Sequence, residues 1–346
     1  MKFVLTIGST ATARIDGISA AGATPELVVQ TPSADAEILS DGEPTEASVV
    51  PVSPSGCPTP AVVTRAAAEL LGFETVVVDA GTASPTTAST VALPGDAGRD
   101  IREPIAVAHA REKFETARAF GRSLPDEEVV LAETVPGGTT TAMAVLTALG
   151  EPTPVSSSLP ANPIALKRRV VADALDASDL SEGGAAGDPL DAVRCVGDPV
   201  LAGLAGLAVG AIESGTTVRL GGGTQMSAVA ALVRQFGVED DLSQWTTVFV
   251  ADDPSADVER LADAFDLSLT VTDPEFDSRD HPAMAAFARG EAKEGVGMGG
   301  ALALVASHPN HDMCALHDRI ATVYDRLLAD VPDGHPAAEH ARRVGE

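Results

Sequence analysis

Short β-branched runs alternate with helix-period segments along most of the chain, and that alternation constrains the fold more than any other feature. Candidate strands fall at Phe3–Ile7, Thr75–Val78, Val129–Ala132, Thr216–Leu220, Thr246–Ala251 and Ser268–Thr272. Helix patterns lie between them at Val62–Leu71, Ile105–Phe120, Thr139–Leu149, Leu166–Leu175, Pro199–Ser214, Met226–Phe236 and Ala256–Phe265. Strands separated by helices pair in parallel, because the crossover helix returns the chain over the sheet face. The expected fold is therefore α/β: a mostly parallel sheet flanked by helices, Rossmann-like and three-layered.

Punctuation sharpens two of the helices. Asp198 is placed to cap a helix with Pro199 in its first position, and Gly215 follows its last turn. That segment is apolar all round and rich in Gly and Ala, so it is expected to lie buried against other backbone. The Thr139–Leu149 helix stops at Gly150, with Pro152 beyond. Residues 31–60 are rich in Pro, Ser and acids and read as irregular surface loop, and residues 178–190 read as a second flexible stretch. His281-Pro282 reads as a helix start, and His311 to Asp330 as one amphipathic helix before a polar tail after Val331. One domain over 1–346 is expected. Its core runs from about 60 to 307, and segment 1–59 and helix 311–330 form a smaller region.

Composition excludes several functions. The formal net charge is −27, from 50 acidic and 23 basic residues, which argues against nucleic acid and anionic membrane as partners. The acids are spread along the chain, and the lysines are Lys2, Lys113, Lys167 and Lys293 alone. Such a surface suits a salt-rich cytoplasm, where self-repulsion is screened. The cysteines, Cys57, Cys195 and Cys314, are far apart and form no CxxC, which fits a reducing compartment. The longest apolar stretch, Pro199 to Ile212, is too short to span a bilayer.

The chemistry is expected in the glycine loops. Residues Val129 to Ala142 read as strand, loop and helix, with Pro136-Gly137-Gly138-Thr139-Thr140-Thr141 at the turn. In an open α/β sheet, ligands sit at the carboxyl ends of the strands. A helix N-terminus there offers N–H groups and the positive end of a dipole to an anion. The loop has no P-loop lysine, so it is not a nucleoside-triphosphatase signature. Gly221-Gly222-Gly223-Thr224 repeats the same logic after the next strand. Gly295, Gly297 and Gly300 match GxGxxG, but no strand precedes them, so a dinucleotide loop is rejected. His308, His311 and His317 match no zinc spacing and read as solvated side chains. Cys57 has no adjacent base and is not expected to be a nucleophile.

Three segments carry a family resemblance: Gly17 to Leu27, Pro58 to Ala67, and Lys293-Glu294-Gly295-Val296-Gly297-Met298-Gly299-Gly300. Along nearly its whole length the chain resembles the archaeal branch (UPF0284) of the nicotinate-nucleotide–dimethylbenzimidazole phosphoribosyltransferases. The bacterial GEMGIGNTT loop is similar to the segment from Ala132 to Thr140, with its glutamate on Glu133 and its threonines on Thr139 and Thr140. The family's phosphate-binding lysine falls on Lys167, a serine near the phosphate on Ser278, and its Asp-His-Gly loop on Asp79-Ala80-Gly81, without the histidine. The bacterial LGEGTGAALA segment carries the general base, and that position is Val296 here, which cannot take a proton. Glu294 and Glu133 are the two carboxylates that could replace it.

The resemblance implies phosphoribosyl transfer from nicotinate mononucleotide to a benzimidazole or purine base in cobamide biosynthesis, releasing nicotinate. Glu133 and Glu294 are the candidate catalytic residues. Asp79, Gly81, Gly137, Gly138, Thr139, Thr140, Lys167, Gly221, Gly222, Gly223, Ser278, Lys293, Gly295 and Gly297 are the candidate binding residues. No metal or resident cofactor is expected, and a cytoplasmic homodimer acting on small molecules is. A protein of this fold that binds nucleotide without turnover is a second reading, supported by Val296. A nucleoside or sugar kinase, with nucleoside triphosphate and Mg²⁺, is a third.

Overall fold

The computed structural model describes residues 1–22, 24–45, 50–53 and 56–328. The elements run β1 (Lys2–Ile7), α1 (Pro25–Asp41), α2 (Ala61–Leu71), β2 (Glu74–Asp79), β3 (Thr90–Ala92), α3 (Ala110–Ser123), β4 (Glu128–Thr134), α4 (Gly138–Leu149), α5 (Ile164–Ala177), α6 (Pro189–Val196) and α7 (Pro199–Glu213). They continue through β5 (Thr217–Gly221), α8 (Thr224–Gln235), β6 (Leu242–Thr247), α9 (Val248–Ala251), α10 (Val258–Ala264), β7 (Leu267–Thr272), α11 (Pro282–Ala288), α12 (Met298–Ala306) and α13 (Met313–Leu328). The seven strands form one sheet in the order β3-β2-β1-β4-β5-β6-β7, and every pairing is parallel. The expected α/β class is the observed one.

Alternate residues of each buried strand face two different cores. Val4, Val129, Leu131, Val218 and Leu220 pack with α3, α4, α7 and α8. Phe3, Leu5, Ile7, Val130 and Ala132 pack with α1, α2, α12 and α13. In this second layer the N- and C-terminal segments meet, since α1 and α13 both lie on α2. Segment 1–59 also enters the main sheet through β1.

The punctuation at α7 is as expected: Asp198 accepts N–H bonds from Val200 and Leu201, and Pro199 is in the first turn. Its glycines permit close backbone packing on α3. A Cβ on Gly206 would stand 2.3 Å from the Phe114 carbonyl oxygen, and one on Gly210 2.1 Å from that of Arg118.

Several boundaries differ from expectation, each for a local reason. Residues 31–41 are helix, not loop: Thr24 accepts from Leu27 N–H, Pro25 follows, and the helix runs to Gly42 in the left-handed region. It buries Thr31, Ser33, Asp35 and Glu37 alongside Ala34, Ala36, Ile38 and Leu39, so its buried residues do not read as an apolar stripe. The strand expected at Thr246–Ala251 lies at Leu242–Thr247, because Thr247 caps the following helix by accepting from Val250 N–H. The helix expected from Ile105 begins at Ala110. The stretch 178–190 is turns tied to α4 by Gly183 N–H to Thr147 O (3.0 Å) and Ala185 N–H to Ala148 O (2.9 Å). Strand β3 and helix α6 were not anticipated. The helix start at His281 is observed, with the ring Nδ1 accepting from Ala283 N–H. His317 is buried rather than solvated, its Nε2 2.7 Å from Pro274 O. Ala23, residues 46–49 and 54–55, positions 329–330 of the expected C-terminal helix, and the tail after Val331 lie outside the described residues.

Candidate active site

Strand order reverses between β1 and β4, which leave the sheet centre in opposite directions. Such a switch point opens a crevice beyond the carboxyl ends of the two strands, where α/β enzymes place their ligands. In register, Thr6 pairs with Glu133 and Ile7 with Thr134. Glu133 and Thr134 therefore stand at the lip of that crevice. A cleft of about 950 Å³, open to solvent at its mouth, occupies this position. Its walls come from the end of β4, the N-termini of α4 and α8, α1, and the loops before α1, α2, α5 and α12.

A glycine turn and two buried lysines border the cleft. Gly137 has a φ of +82°, and a Cβ there would stand 3.1 Å from the Ala13 backbone, so the turn into α4 requires glycine. Lys167, buried on α5, donates to Thr139 Oγ1 (2.9 Å) and Ser156 O (2.6 Å). Burial pushes its ammonium down to about 7, against the pull of Asp253, and Lys293 adds to the fall. Lys293 pairs with Asp253 at 2.9 Å, and Ser156 Oγ donates to the same carboxylate at 3.0 Å. Two of the four lysines thus meet around Ser156, which lines the cleft with Ser157 and Ser158. Burial raises the Asp253 carboxyl, but hydrogen bonds from Ser255 and Lys293 outweigh it and hold the group below its usual range.

Several carboxyls also stand in or beside the cleft. Glu133 is half-buried, and no described side chain donates a hydrogen bond to it. Enclosure pushes its carboxyl up to about 8, and the charges of Asp198, Glu294 and Asp35 add to the rise. Glu294 is also pushed up to about 8 by enclosure, but its carboxylate is already engaged. It accepts from Gly299 N–H at 3.0 and 3.1 Å and from Gly295 N–H at 3.2 Å, capping the start of α12. Of the two candidate bases, Glu133 is the less engaged: the Val135 N–H bonds to it and opposes the rise, whereas Glu294 takes several backbone N–H groups. Asp198 is buried and accepts from Thr141 Oγ1 at 2.5 Å and Gln225 Nε2 at 3.0 Å. Asp35 is buried on α1 and accepts from Thr59 Oγ1 at 2.6 Å and Thr134 Oγ1 at 2.7 Å.

Known proteins share both the sequence and the fold that build this cleft. The chain is 57% identical over 326 residues to UPF0284 protein VNG_1572C of Halobacterium salinarum, covering 94% of this chain and 98% of that one. It is 39% identical to the UPF0284 protein of Thermococcus gammatolerans, over 94% of this chain and 98% of that one. The chain belongs to the UPF0284 family. Residues 61–248 of this UPF0284 protein match the family model described as Phosphoribosyltransferase, which makes the chain a pentosyltransferase by family. Two solved structures from Thermus thermophilus share the UPF0284 fold at 18% identity, each covering 96% of this chain and 86% of the other. One is a nicotinate-nucleotide-dimethylbenzimidazole phosphoribosyltransferase, with a TM-score of 0.60. The other is CobT, with a TM-score of 0.62. Among the described residues of this UPF0284 chain, no helix is long and apolar enough to cross a membrane.

Of the residues singled out from sequence, the cleft brings together Glu133, Gly137, Gly138, Thr139, Gly223, Lys293, Glu294 and Gly295, with Lys167 bonded to Thr139. The others lie outside its lining. Asp79 holds its own turn, accepting from Gly81 N–H (2.8 Å) and Thr82 N–H (3.0 Å). Thr140 is buried within α4. Gly221 lets its backbone meet Gly300, 3.2 Å from where a Cβ would sit, and a Cβ on Gly222 would strike Met226. Gly297 faces Ala132 and the Phe3 ring. Ser278 is exposed in the turn Phe276–Ser278 after β7.

Val296 lines the cleft with a φ of +52°, an unusual conformation for a β-branched residue. Cys57 also lines it, with a thiol that burial pushes well above its ordinary range, so it is poorly suited to act as a nucleophile. Asp35, Thr134, Asp198, Gln225 and the three serines were not singled out from sequence. Only the serine triplet carried a local signal.

Proposed function

We propose that this protein transfers the phosphoribosyl group of nicotinate mononucleotide to a nitrogen heterocycle, a benzimidazole or purine, in cobamide biosynthesis. The observation that supports this reading is that one cleft is bordered both by buried lysines, Lys167 bonded to its Thr139 and Lys293 in its lining, and by the carboxyls Glu133 and Asp35. A nucleotide with an anionic phosphate and a cationic pyridinium can use both kinds of group, the phosphate against Lys167 and the turn into α4, the pyridinium toward Glu133.

In the proposed step, a ring nitrogen of the acceptor attacks C1′ of the ribose. The bond from C1′ to the pyridinium nitrogen breaks, and its electron pair neutralises that nitrogen as nicotinate leaves. Glu133 accepts the proton from the acceptor's N–H. The leaving group is already cationic, so catalysis is chiefly the positioning of two ligands, and no resident cofactor is called for. A cation entering the cleft also lowers the proton affinity of Glu133, so nucleotide binding readies the base it needs. The protein is expected to work on these small molecules as a cytoplasmic homodimer. Nicotinate release by the purified protein in high salt, with benzimidazole and purine acceptors, tests the reading. No release with any acceptor overturns it.

A further inference from the structure

Asp35 is a buried carboxyl that the proposed step does not use. It lies on α1, and no ion pair reaches it among the described residues. Its two oxygens take the protons of two hydroxyls, Thr59 Oγ1 at 2.6 Å and Thr134 Oγ1 at 2.7 Å. A hydroxyl that has given its proton to a carboxylate offers only lone pairs to any further partner. Thr59 spends one of these on Ala61 N–H, at 3.2 Å. Thr134 Oγ1 accepts nothing from any described residue, and Thr134 lines the cleft next to Glu133 in β4. Neighbouring residues of a strand point to opposite faces, so Glu133 and Thr134 straddle the strand end. A flat ring lying across that end meets a carboxylate on one side and a fixed acceptor oxygen on the other.

Resting on the transferase reading above, we propose that Asp35 is a positioning residue that fixes Thr134 as an acceptor, and that the base transferred is an aminopurine. Two acceptors call for two N–H donors. An aminopurine has both: a ring N–H for Glu133 and an exocyclic amino group for Thr134. A benzimidazole has the ring N–H alone and leaves the acceptor lone pairs of Thr134 Oγ1 without a donor in a nearly dry position, which a site built to hydrogen-bond discriminates against. Burial pushes the Asp35 carboxyl up to about 6, against the pull of Thr59 and Thr134, so at neutral pH it remains mostly ionised and keeps both hydroxyl protons.

The test compares nicotinate release with adenine, unsubstituted purine and benzimidazole, using the full chain in high salt. The expected kcat/KM for adenine exceeds that for purine by roughly tenfold or more, the worth of one buried hydrogen bond. Thr134→Val and Asp35→Asn each collapse that ratio toward one, by raising KM for adenine rather than for the nucleotide, and Thr134→Ser preserves it. Equal kcat/KM for adenine and purine in the wild-type protein overturns the inference, as does an adenine preference that survives in both Thr134→Val and Asp35→Asn. Release with benzimidazole but without preference for adenine leaves the transferase reading standing. Release with none of the three overturns both.

Discussion

The backbone N–H of Val296 donates to the carbonyl oxygen of Glu133 at 2.8 Å. The position where the family resemblance expects a base is therefore hydrogen-bonded to the residue that can replace it. A glutamate at Val296 and the present Glu133 would address one space from adjacent backbone. Glu133 and Val296 line the same cleft, and under the proposed reading the departure at Val296 does not require a protein without catalysis.

The pH dependence of turnover follows from the acids around Glu133. Its proton affinity is raised first by enclosure and then by Asp198, Glu294 and Asp35, from α7, the loop before α12, and α1. A base acts when deprotonated, so kcat/KM is expected to rise with pH through a limb near 8, the value to which Glu133 is pushed. Asp198→Asn removes one like charge while keeping a side chain able to cap α7, and Gln225 Oε1, without a partner now, can rotate to meet the new amide. The limb is expected to move to lower pH. A limb that stays in place, or moves up, contradicts the electrostatic account.

Lys167 predicts proton uptake on binding. Its ammonium is pushed down to about 7, so at pH 8 much of it is neutral in the empty cleft. A phosphate beside it favours the charged form and raises its proton affinity. Calorimetry of nicotinate mononucleotide binding at pH 8, in buffers of different ionisation enthalpy, is expected to show more proton uptake in the wild-type protein than in Lys167→Met. Identical proton balances in the two proteins place the phosphate elsewhere.

Much of this fold was legible because strands and helices announce themselves when their inward faces are apolar. The Gly- and Ala-rich segment from Pro199 reads as packing against backbone, and it does. Helix α1 was illegible because its buried residues mix Thr31, Ser33, Asp35 and Glu37 with Ala34, Ala36, Ile38 and Leu39, so no clean apolar stripe shows in the sequence. In the cleft, the glycine turns at Gly137-Gly138 and Gly223 could be read because a strand-turn-helix junction is a local backbone pattern. The Asp35 contacts could not, since Thr59 and Thr134 lie 24 and 99 residues away along the chain.

The close approach of α3 and α7 gives a stability prediction. In an open helix Gly→Ala is favourable by about 1 kcal/mol. At Gly206 the new Cβ would meet Phe114 O at 2.3 Å and Ala117 Cβ at 2.9 Å, so the helices must separate. Gly206→Ala is expected to destabilise by about 1–3 kcal/mol, the range for overpacking a tight core. Chemical denaturation measures it, and an unchanged or raised midpoint contradicts the packing.

Salt acts on the whole surface. With a net charge of −27, self-repulsion is large at low ionic strength. At 1 M salt the screening length falls to about 3 Å, which leaves mainly contact pairs. The thermal midpoint is expected to rise between 0.1 M and 2 M KCl. A flat or falling midpoint removes the salt-adaptation reading of the composition.

The central claim is that Glu133 takes the acceptor's proton in a phosphoribosyl transfer, and nicotinate release by wild-type protein and Glu133→Gln measures it most directly. The account predicts acceptor-dependent release by the wild-type protein. It also predicts that Glu133→Gln binds nicotinate mononucleotide yet turns over slower by about 10²–10⁴, the usual worth of a general base. Comparable release by Glu133→Gln, or none by the wild-type protein with any nitrogen heterocycle, contradicts it.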